Sequence, residues 1–87
     1  MINRGESVIV GEAVRLRIIE LCQENHVTVN KLATISGITQ STLNNIVSGR
    51  NNSATVATVK KICDGLGIGI DEFFASDLFK NLEQEIQ

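Results

Sequence analysis

Residues 28–50 read TVNKLATISGITQSTLNNIVSGR, and this stretch decides the fold. Gly37 follows Ala33 by four residues, at a point where a helix must stop, because a left-handed backbone strains any residue that has a Cβ atom. Thr39 then offers a hydroxyl group that can cap a second helix. The stretch therefore predicts two short helices joined by a tight turn, at about 29–36 and 40–47.

Apolar residues at helical spacing predict how the two helices pack. Ala33 suits a close helix crossing, where a side chain larger than a methyl group would force the helices apart. Ile38, Leu43 and Ile46 supply the contacts that hold the pair together. Such a pair is a helix-turn-helix, a unit that lays its second helix in the DNA major groove.

The other positions of the second helix are short, polar and uncharged. They are Gln40, Ser41, Asn44, Asn45 and Ser48. A solvated helix face usually carries Glu, Lys and Arg, whereas amides and hydroxyls read base edges through paired hydrogen bonds. Base reading is therefore favoured, with a merely solvated helix face as the alternative.

From about Val14 to Phe74, the chain resembles the Cro and phage-repressor type of helix-turn-helix regulators, the XRE family. Beyond the motif, the resemblance includes the Gly49-Arg50 exit from the second helix and the closing phrase LGIGIDEFF. It also includes the helix that holds Val56, Val59 and Ile62. The resemblance implies an all-α, lambda-repressor-like fold, a compact bundle of about five helices.

The resemblance also implies site residues, because family positions can be matched one by one. The matched base-contacting positions are Gln40, Ser41 and Asn45, with Asn44 as a further candidate. The matched phosphate-contacting positions are Val29, Thr39, Ser48, Arg50, Asn51 and Asn52. Val29 stands where several relatives have Gln, so only its main-chain amide and the helix dipole remain to bind a phosphate.

A second departure from the family concerns an ion pair. Many relatives hold an Arg on the first helix against a Glu near the end of the recognition helix, and Cys22 and Val47 occupy those positions here. Apolar groups often replace such a pair without loss of stability. We therefore expect Cys22 and Val47 to touch in the core.

The whole chain, residues 1–87, is expected to form one domain with its core at about 10–75. The remaining helices are expected at Val10 to Asn25, from an N-cap at Thr55 to Gly65–Gly67, and from near Gly69 through Asp71 and Glu72. The run of Gly65, Gly67 and Gly69 is interpreted as helix termination, because it follows a helix rather than a strand.

Residues 76–87 form an acidic tail with an apolar stripe. If the segment were helical, one face would carry Phe74, Leu78, Leu82 and Ile86. Two alternatives stay open for this stripe. The tail packs back on its own domain, or it forms a dimer interface with the same segment of a second copy.

Charge is sorted along the chain, although the net charge is only −2. Between residues 25 and 63 there are four basic residues and no acids, whereas residues 71–87 carry five acids against Lys80. A basic face for phosphates and an acidic face elsewhere follow from this arrangement.

Composition excludes several other classes. Cys22, Cys63 and the single histidine, His26, are badly spaced for a metal site, and buried thiols are the favoured interpretation of both cysteines. No constellation of nucleophile and base indicates an enzyme, and no cofactor or small-molecule ligand is evident. No apolar run is long enough to span a membrane, so a cytoplasmic protein is expected.

These observations predict a homodimeric transcriptional regulator that binds double-stranded DNA at an inverted-repeat operator, acting as a repressor. Activation by contact with polymerase is the alternative mode of regulation. The alternative function is a protein-interaction module, antitoxin-like or anti-repressor, that keeps the fold without reading DNA. The acidic apolar tail and Val29 support that alternative.

Overall fold

The computed structural model describes residues 9–50 and 54–84. Their regular elements are five α-helices and one 3-10 helix, Asp77–Phe79. The α-helices are α1 (Val10–Glu24), α2 (Val29–Ser36), α3 (Gln40–Val47), α4 (Val56–Leu66) and α5 (Ile70–Phe73). The expected all-α bundle is confirmed, and the two motif helices have the bounds that the sequence predicts.

One core lies between the helices. Its fully buried side chains come from all five of them and include Ile18, Leu32, Leu43, Ile62 and Phe73. Ala33 is also fully buried, as its small size at a helix contact predicts. Helix α3 packs on α1 and α2, while α4 packs on α2 and α5. The core therefore fixes α3 from behind and leaves its other face open.

The first four helices end in the same way. After each helix, a residue with positive φ donates its amide to a carbonyl of the last turn, and the next residue donates to the carbonyl one position earlier. The positive-φ residues are His26, Gly37, Gly49 and Gly67. Three are glycines, as left-handed backbone favours, and His26 is the exception at φ 56°.

Helix α4 ends at Leu66, within the expected Gly65–Gly67, but Gly65 itself does not terminate it. This glycine lies inside α4, where a Cβ atom would stand 2.6 Å from Ser36 Oγ and 3.0 Å from the carbonyl oxygen of Ile35. Gly65 is therefore needed for the close approach of α4 to the end of α2. Gly67 alone of the run has the left-handed backbone that terminates α4.

The tail does not form the apolar helix face considered from the sequence. Phe74 ends α5, and Ser76 caps the 3-10 helix by accepting the amide of Leu78 at 3.2 Å. Phe79 packs against the core, with its ring 4.8 Å from that of Phe74. Through Phe79 the chain thus packs back on its own domain. Ile86 lies outside the described residues.

Arg17 holds this returning segment in place. Its side chain is buried, and it donates to the carbonyl oxygens of Phe73 at 2.6 Å and Glu72 at 2.9 Å. The guanidinium group thus binds carbonyls at the end of α5, where Glu72 also accepts the main-chain amide of Ala75. Glu20 pairs with the same guanidinium from one turn along α1. The first helix and the last α-helix are therefore tied by a charged group.

Cys22 and Val47 contribute to the same core, Cys22 as a buried residue and Val47 as a half-buried one at its margin. Both residues therefore lie on the core side of their helices, which is what the alignment of the first helix requires. Their direct contact stays a prediction. Cys63 is also buried, and both thiols are free. Burial raises the pKa of each thiol, which disfavours the reactive thiolate.

Candidate nucleic-acid interface

Helix α3 begins at an N-cap whose hydroxyl group both accepts and donates a hydrogen bond. Thr39 Oγ1 accepts the amide of Thr42 at 3.2 Å and donates to Thr42 Oγ1 at 2.7 Å. The predicted N-cap is confirmed. Because both bonds are made within the protein, the Thr39 side chain serves first to start the helix. The amides of Gln40 and Ser41, in the first turn, have no helical carbonyl to bond.

The candidate base-reading residues divide by exposure. Gln40, Ser41 and Asn44 are exposed, whereas Asn45 is half-buried. None of these four side chains carries a charge. The exposed surface of α3 therefore presents amides and a hydroxyl, the groups that distinguish base pairs in the major groove.

The end of α3 fixes the position of Arg50. Gly49 has φ 84°, its amide donates to Ile46, and the amide of Arg50 donates to the carbonyl oxygen of Asn45 at 3.1 Å. Ser48 Oγ donates to the same Asn45 carbonyl. The backbone of Arg50 is thus held while its side chain is exposed. Asn51 and Asn52, the remaining predicted phosphate contacts, lie outside the described residues.

Helix α2 brings its first turn to the same surface. Thr28 caps this helix by accepting the amide of Lys31 at 3.0 Å. Val29 is half-buried and packs against the core, so its side chain serves the fold and its main-chain amide is the group left for a phosphate. The predicted phosphate position and the exposed face of α3 are joined by a hydrogen bond between Asn44 and Asn30, at 3.0 Å.

Two side chains that contact the motif could not be found from the motif alone. Asn30 carries no pattern of its own, since its importance comes from lying opposite Asn44 after folding. Arg15 lies on α1 yet donates to the carbonyl oxygen of Val47, the last residue of α3, at 3.1 Å. The two contacts span 14 and 32 residues of sequence and each joins two different helices, so no spacing within one helix could reveal them.

Charge around the interface favours phosphates. Lys31 and Arg50 are exposed, and within residues 9–50 and 54–84 neither has a carboxylate partner. The acids Asp71, Glu72 and Asp77 lie on α5 and the 3-10 helix, which pack on α4 and α1 rather than on α3. The sorting of charge along the sequence is therefore kept in the fold.

Other kinds of site find no support in the described part of the chain. In that part, no cluster of His, Cys, Asp and Glu has the arrangement of a metal site. Nor does any helix in it have the length and apolar character needed to cross a membrane.

Comparisons with known proteins agree with this geometry. Residues 18–73 match the model of the family HTH_3, described as helix-turn-helix. Among solved structures, the chain is similar to the crystal structure of the prophage Lp1 protein 11, with 36% identity and a TM-score of 0.72. The similarity covers 80% of this chain and 92% of that one. A search of curated proteins finds no match. Because the family model spans more than half of the chain, the protein belongs to the XRE-type helix-turn-helix family of DNA-binding regulators.

Proposed function

We propose that this protein is a sequence-specific transcriptional repressor that binds an inverted-repeat operator as a homodimer in the cytoplasm, without catalytic activity. The observation that carries the proposal is the uncharged, exposed face of α3, where Gln40, Ser41 and Asn44 stand beside the first turn of α2. Family membership supports DNA binding in general. The side chains of this face support the reading of particular bases.

In this proposal, side-chain amides read the bases. Cationic side chains and main-chain amides bind the phosphates. Gln40 and Asn45 can each pair with the donor and acceptor of adenine in the major groove, and Ser41 can bond to several bases. Arg50 and Lys31 flank this face as exposed cations. Few cations take part, so we expect binding that weakens with salt, but with a small number of counterions released per subunit.

An apolar surface offers a dimer interface. A groove of about 180 Å³ is lined by Val10, Val14, Ala54, Val56, Val59, Ile70 and Phe74. Val56 at the start of α4 is 79% exposed, and Val10, Ile70 and Phe74 are each close to 40% exposed. Exposed apolar side chains around one groove are typical of association surfaces. We call this set of seven residues the Val56 surface.

The occupant that best fits the Val56 surface is a second copy of the chain. None of its seven residues is charged. A two-fold axis brings like residues together, so a neutral patch avoids the repulsion that charged groups would meet there. Two copies would then read two half-sites about 34 Å apart, one turn of DNA.

Repression follows most directly from occupancy. A dimer seated on promoter DNA excludes polymerase without any further activity, and the buried apolar residues of the described part of the chain pack into one core. A contact with polymerase that activates transcription would need an additional exposed surface. A promoter fusion carrying the selected DNA site would distinguish repression from activation.

The test is selection of duplexes from a random DNA library by purified protein at near-physiological salt, followed by sequencing. We expect an enriched inverted repeat with half-site centres about one helical turn apart. Val56→Glu should leave a single half-site with weaker binding, because a charge in the neutral surface separates the copies. Ala57→Glu is the matched control, since Ala57 is exposed on the same helix and does not line the groove.

The Val56 surface also favours one second candidate, a protein-interaction module that retains the fold. In that case the groove would hold an apolar segment of another protein, and the face of α3 would have no ligand. Folded protein that binds no DNA even at low salt would support this candidate and contradict the repressor. Sedimentation of the wild type and Val56→Glu would then show whether the groove holds a second copy.

A further inference from the structure

Asn30 and Asn44 connect the two motif helices at the candidate nucleic-acid interface. Asn44 Nδ2 donates to Asn30 Oδ1 at 3.0 Å, across 14 residues of sequence, and both residues are exposed. We infer that Asn30 is a specificity-determining residue that positions the carboxamide of Asn44 for one base. This inference rests on the proposed function and adds a residue outside the recognition helix to it.

The hydrogen bond fixes which groups of Asn44 remain for DNA. A carboxamide has two N–H donors and an acceptor oxygen. Asn30 takes one N–H of Asn44, which leaves Oδ1 and the second N–H. An acceptor together with a donor is the combination that an amide uses on the N6 and N7 atoms of adenine. An unrestrained carboxamide can invert, and inversion exchanges the acceptor and donor positions that a base would meet.

The position of Asn30 explains why the pair keeps this orientation on DNA. Asn30 is the second residue of α2, beside the amides and positive dipole end that favour a phosphate. Its Oδ1 is occupied by Asn44, so its amino group is the part left to donate to that phosphate. A phosphate on the amino side of Asn30 holds Oδ1 toward Asn44. A contact with the DNA phosphate backbone thereby orients the side chain of Asn44, which reads a base.

Because the Asn30–Asn44 hydrogen bond is exposed, its loss affects DNA specificity more than folding stability. In the free protein water competes for this exposed bond, so its loss changes folding stability little. In the complex, DNA excludes water from the surface, and hydrogen bonds strengthen in a drier environment. The contribution of Asn30 therefore appears in the ratio of affinities for different sequences rather than in the unfolding midpoint.

The experiment compares Asn30→Ala, Asn44→Ala and the double variant with the wild type. Affinity is measured for the selected site and for each single-base-pair change within it. We expect Asn30→Ala and Asn44→Ala to lose preference at the same base pair, by about fivefold or more, and the double variant to lose no more than Asn44→Ala. Thr34→Ala is the matched control, because Thr34 is exposed on α2 and its hydroxyl donates to the main-chain carbonyl of Asn30 rather than to its side chain.

Asn30→Asp separates positioning from general binding. A carboxylate still accepts from Asn44 Nδ2, so the base preference should survive. Its negative charge meets the phosphate, so affinity should fall on every sequence alike. A variant that kept full affinity but lost the base preference would contradict the relay.

The outcomes distinguish this inference from the proposed function. If the wild type selects a site but Asn30→Ala keeps every base preference, the assignment of Asn30 is wrong and the repressor remains. Loss of preference at different base pairs in the two single variants overturns the assignment in the same way. If folded wild type shows no preference among sequences, the proposed function fails and the role of Asn30 fails with it.

Discussion

The guanidinium group of Arg15 on α1 donates to the carbonyl oxygen of Val47, the last residue of α3, at 3.1 Å. The carbonyls of a final helical turn have no partner within the helix, so this bond satisfies one of them. Glu12 pairs with the same guanidinium through Nε at 3.0 Å and through Nη2 at 2.6 Å. Many relatives hold the recognition helix by an ion pair between side chains. In this protein, Arg15 instead binds the main-chain carbonyl of Val47 at the end of α3.

This arrangement predicts a stability contribution that depends on pH. The hydrogen bond from Arg15 lowers the pKa of the Glu12 carboxyl below its ordinary value of 4.5. A carboxyl whose folded pKa is lowered stabilises the protein above the unfolded value and loses that contribution as pH falls through the folded value. We therefore expect Glu12→Gln to lower the thermal midpoint at pH 7 and to have a smaller effect in acid.

The measurement is thermal unfolding followed by circular dichroism from pH 7 down to pH 3. Glu24→Gln is the control, since Glu24 lies exposed at the end of the same helix. If Glu12→Gln shifted the midpoint equally at every pH, the Arg15 bond would not act through the carboxylate.

Gly65→Ala is expected to destabilise the protein although alanine is the better helix former. The new Cβ atom would lie 2.6 Å from Ser36 Oγ, and also 3.0 Å and 3.1 Å from the backbone atoms Ile35 O and Ser36 Cα. Backbone cannot move aside as a side chain can, so we expect a cost of about 1–3 kcal/mol, as for other overpacked sites. Urea unfolding measures it.

The control for this substitution is Ala57→Gly, at an exposed position of the same helix. It should cost less than about 1 kcal/mol, because the full difference in helix propensity applies to a helix interior and Ala57 is the second residue of α4. A Gly65→Ala variant more stable than the wild type would show that α2 and α4 are packed less closely than the structure has them.

His26→Gly is expected to stabilise the protein. His26 follows α1 with φ 56°, where the other three helix ends of this kind have glycine. A left-handed backbone costs a residue with a Cβ atom roughly 1–2 kcal/mol of folding free energy. Glycine avoids this cost but loses more conformational freedom on folding, so we expect a net gain in stability of about 0.5–1 kcal/mol.

His26→Ala is the informative comparison, because alanine keeps the Cβ atom and removes the imidazole ring. It should be no more stable than the wild type in urea unfolding. Equal stabilisation by alanine and glycine would assign the effect to the ring rather than to the backbone.

The positions of the helices were predictable because their ends are local events. Thr39, Thr55, Gly37 and Gly67 mark boundaries that the structure keeps. The tail was not predictable in the same way. Its apolar residues recur every four positions, which fits a helix, yet Phe79 packs against the core and the segment turns back.

The candidate site shows the same division between local and long-range information. The exposed amides of α3 follow from spacing within one helix. The Asn30–Asn44 bond, the reach of Arg15 to Val47 and the burial of Arg17 each join positions separated by 14 to 56 residues. Such contacts depend on how the helices are arranged, and a single sequence contains no periodic signal for them.

The last prediction concerns the division of roles at the DNA. Gln40→Ala and Asn45→Ala should each cost roughly 1–3 kcal/mol on the selected site and little on random DNA, because amides act on base edges. Arg50→Ala should weaken binding to both DNAs alike and reduce the salt dependence by about one counterion, because its exposed charge meets a phosphate.

Fluorescence anisotropy with the selected duplex and a scrambled duplex, at several salt concentrations, separates these effects. Gln23→Ala, an exposed amide on α1, is the matched control and should change neither affinity. Equal losses on both duplexes for all three variants would remove the base-reading roles of Gln40 and Asn45. Since Asn45 is half-buried, a loss of folding stability in that variant must be measured beside its affinity, and only the ratio between the two duplexes reports base reading.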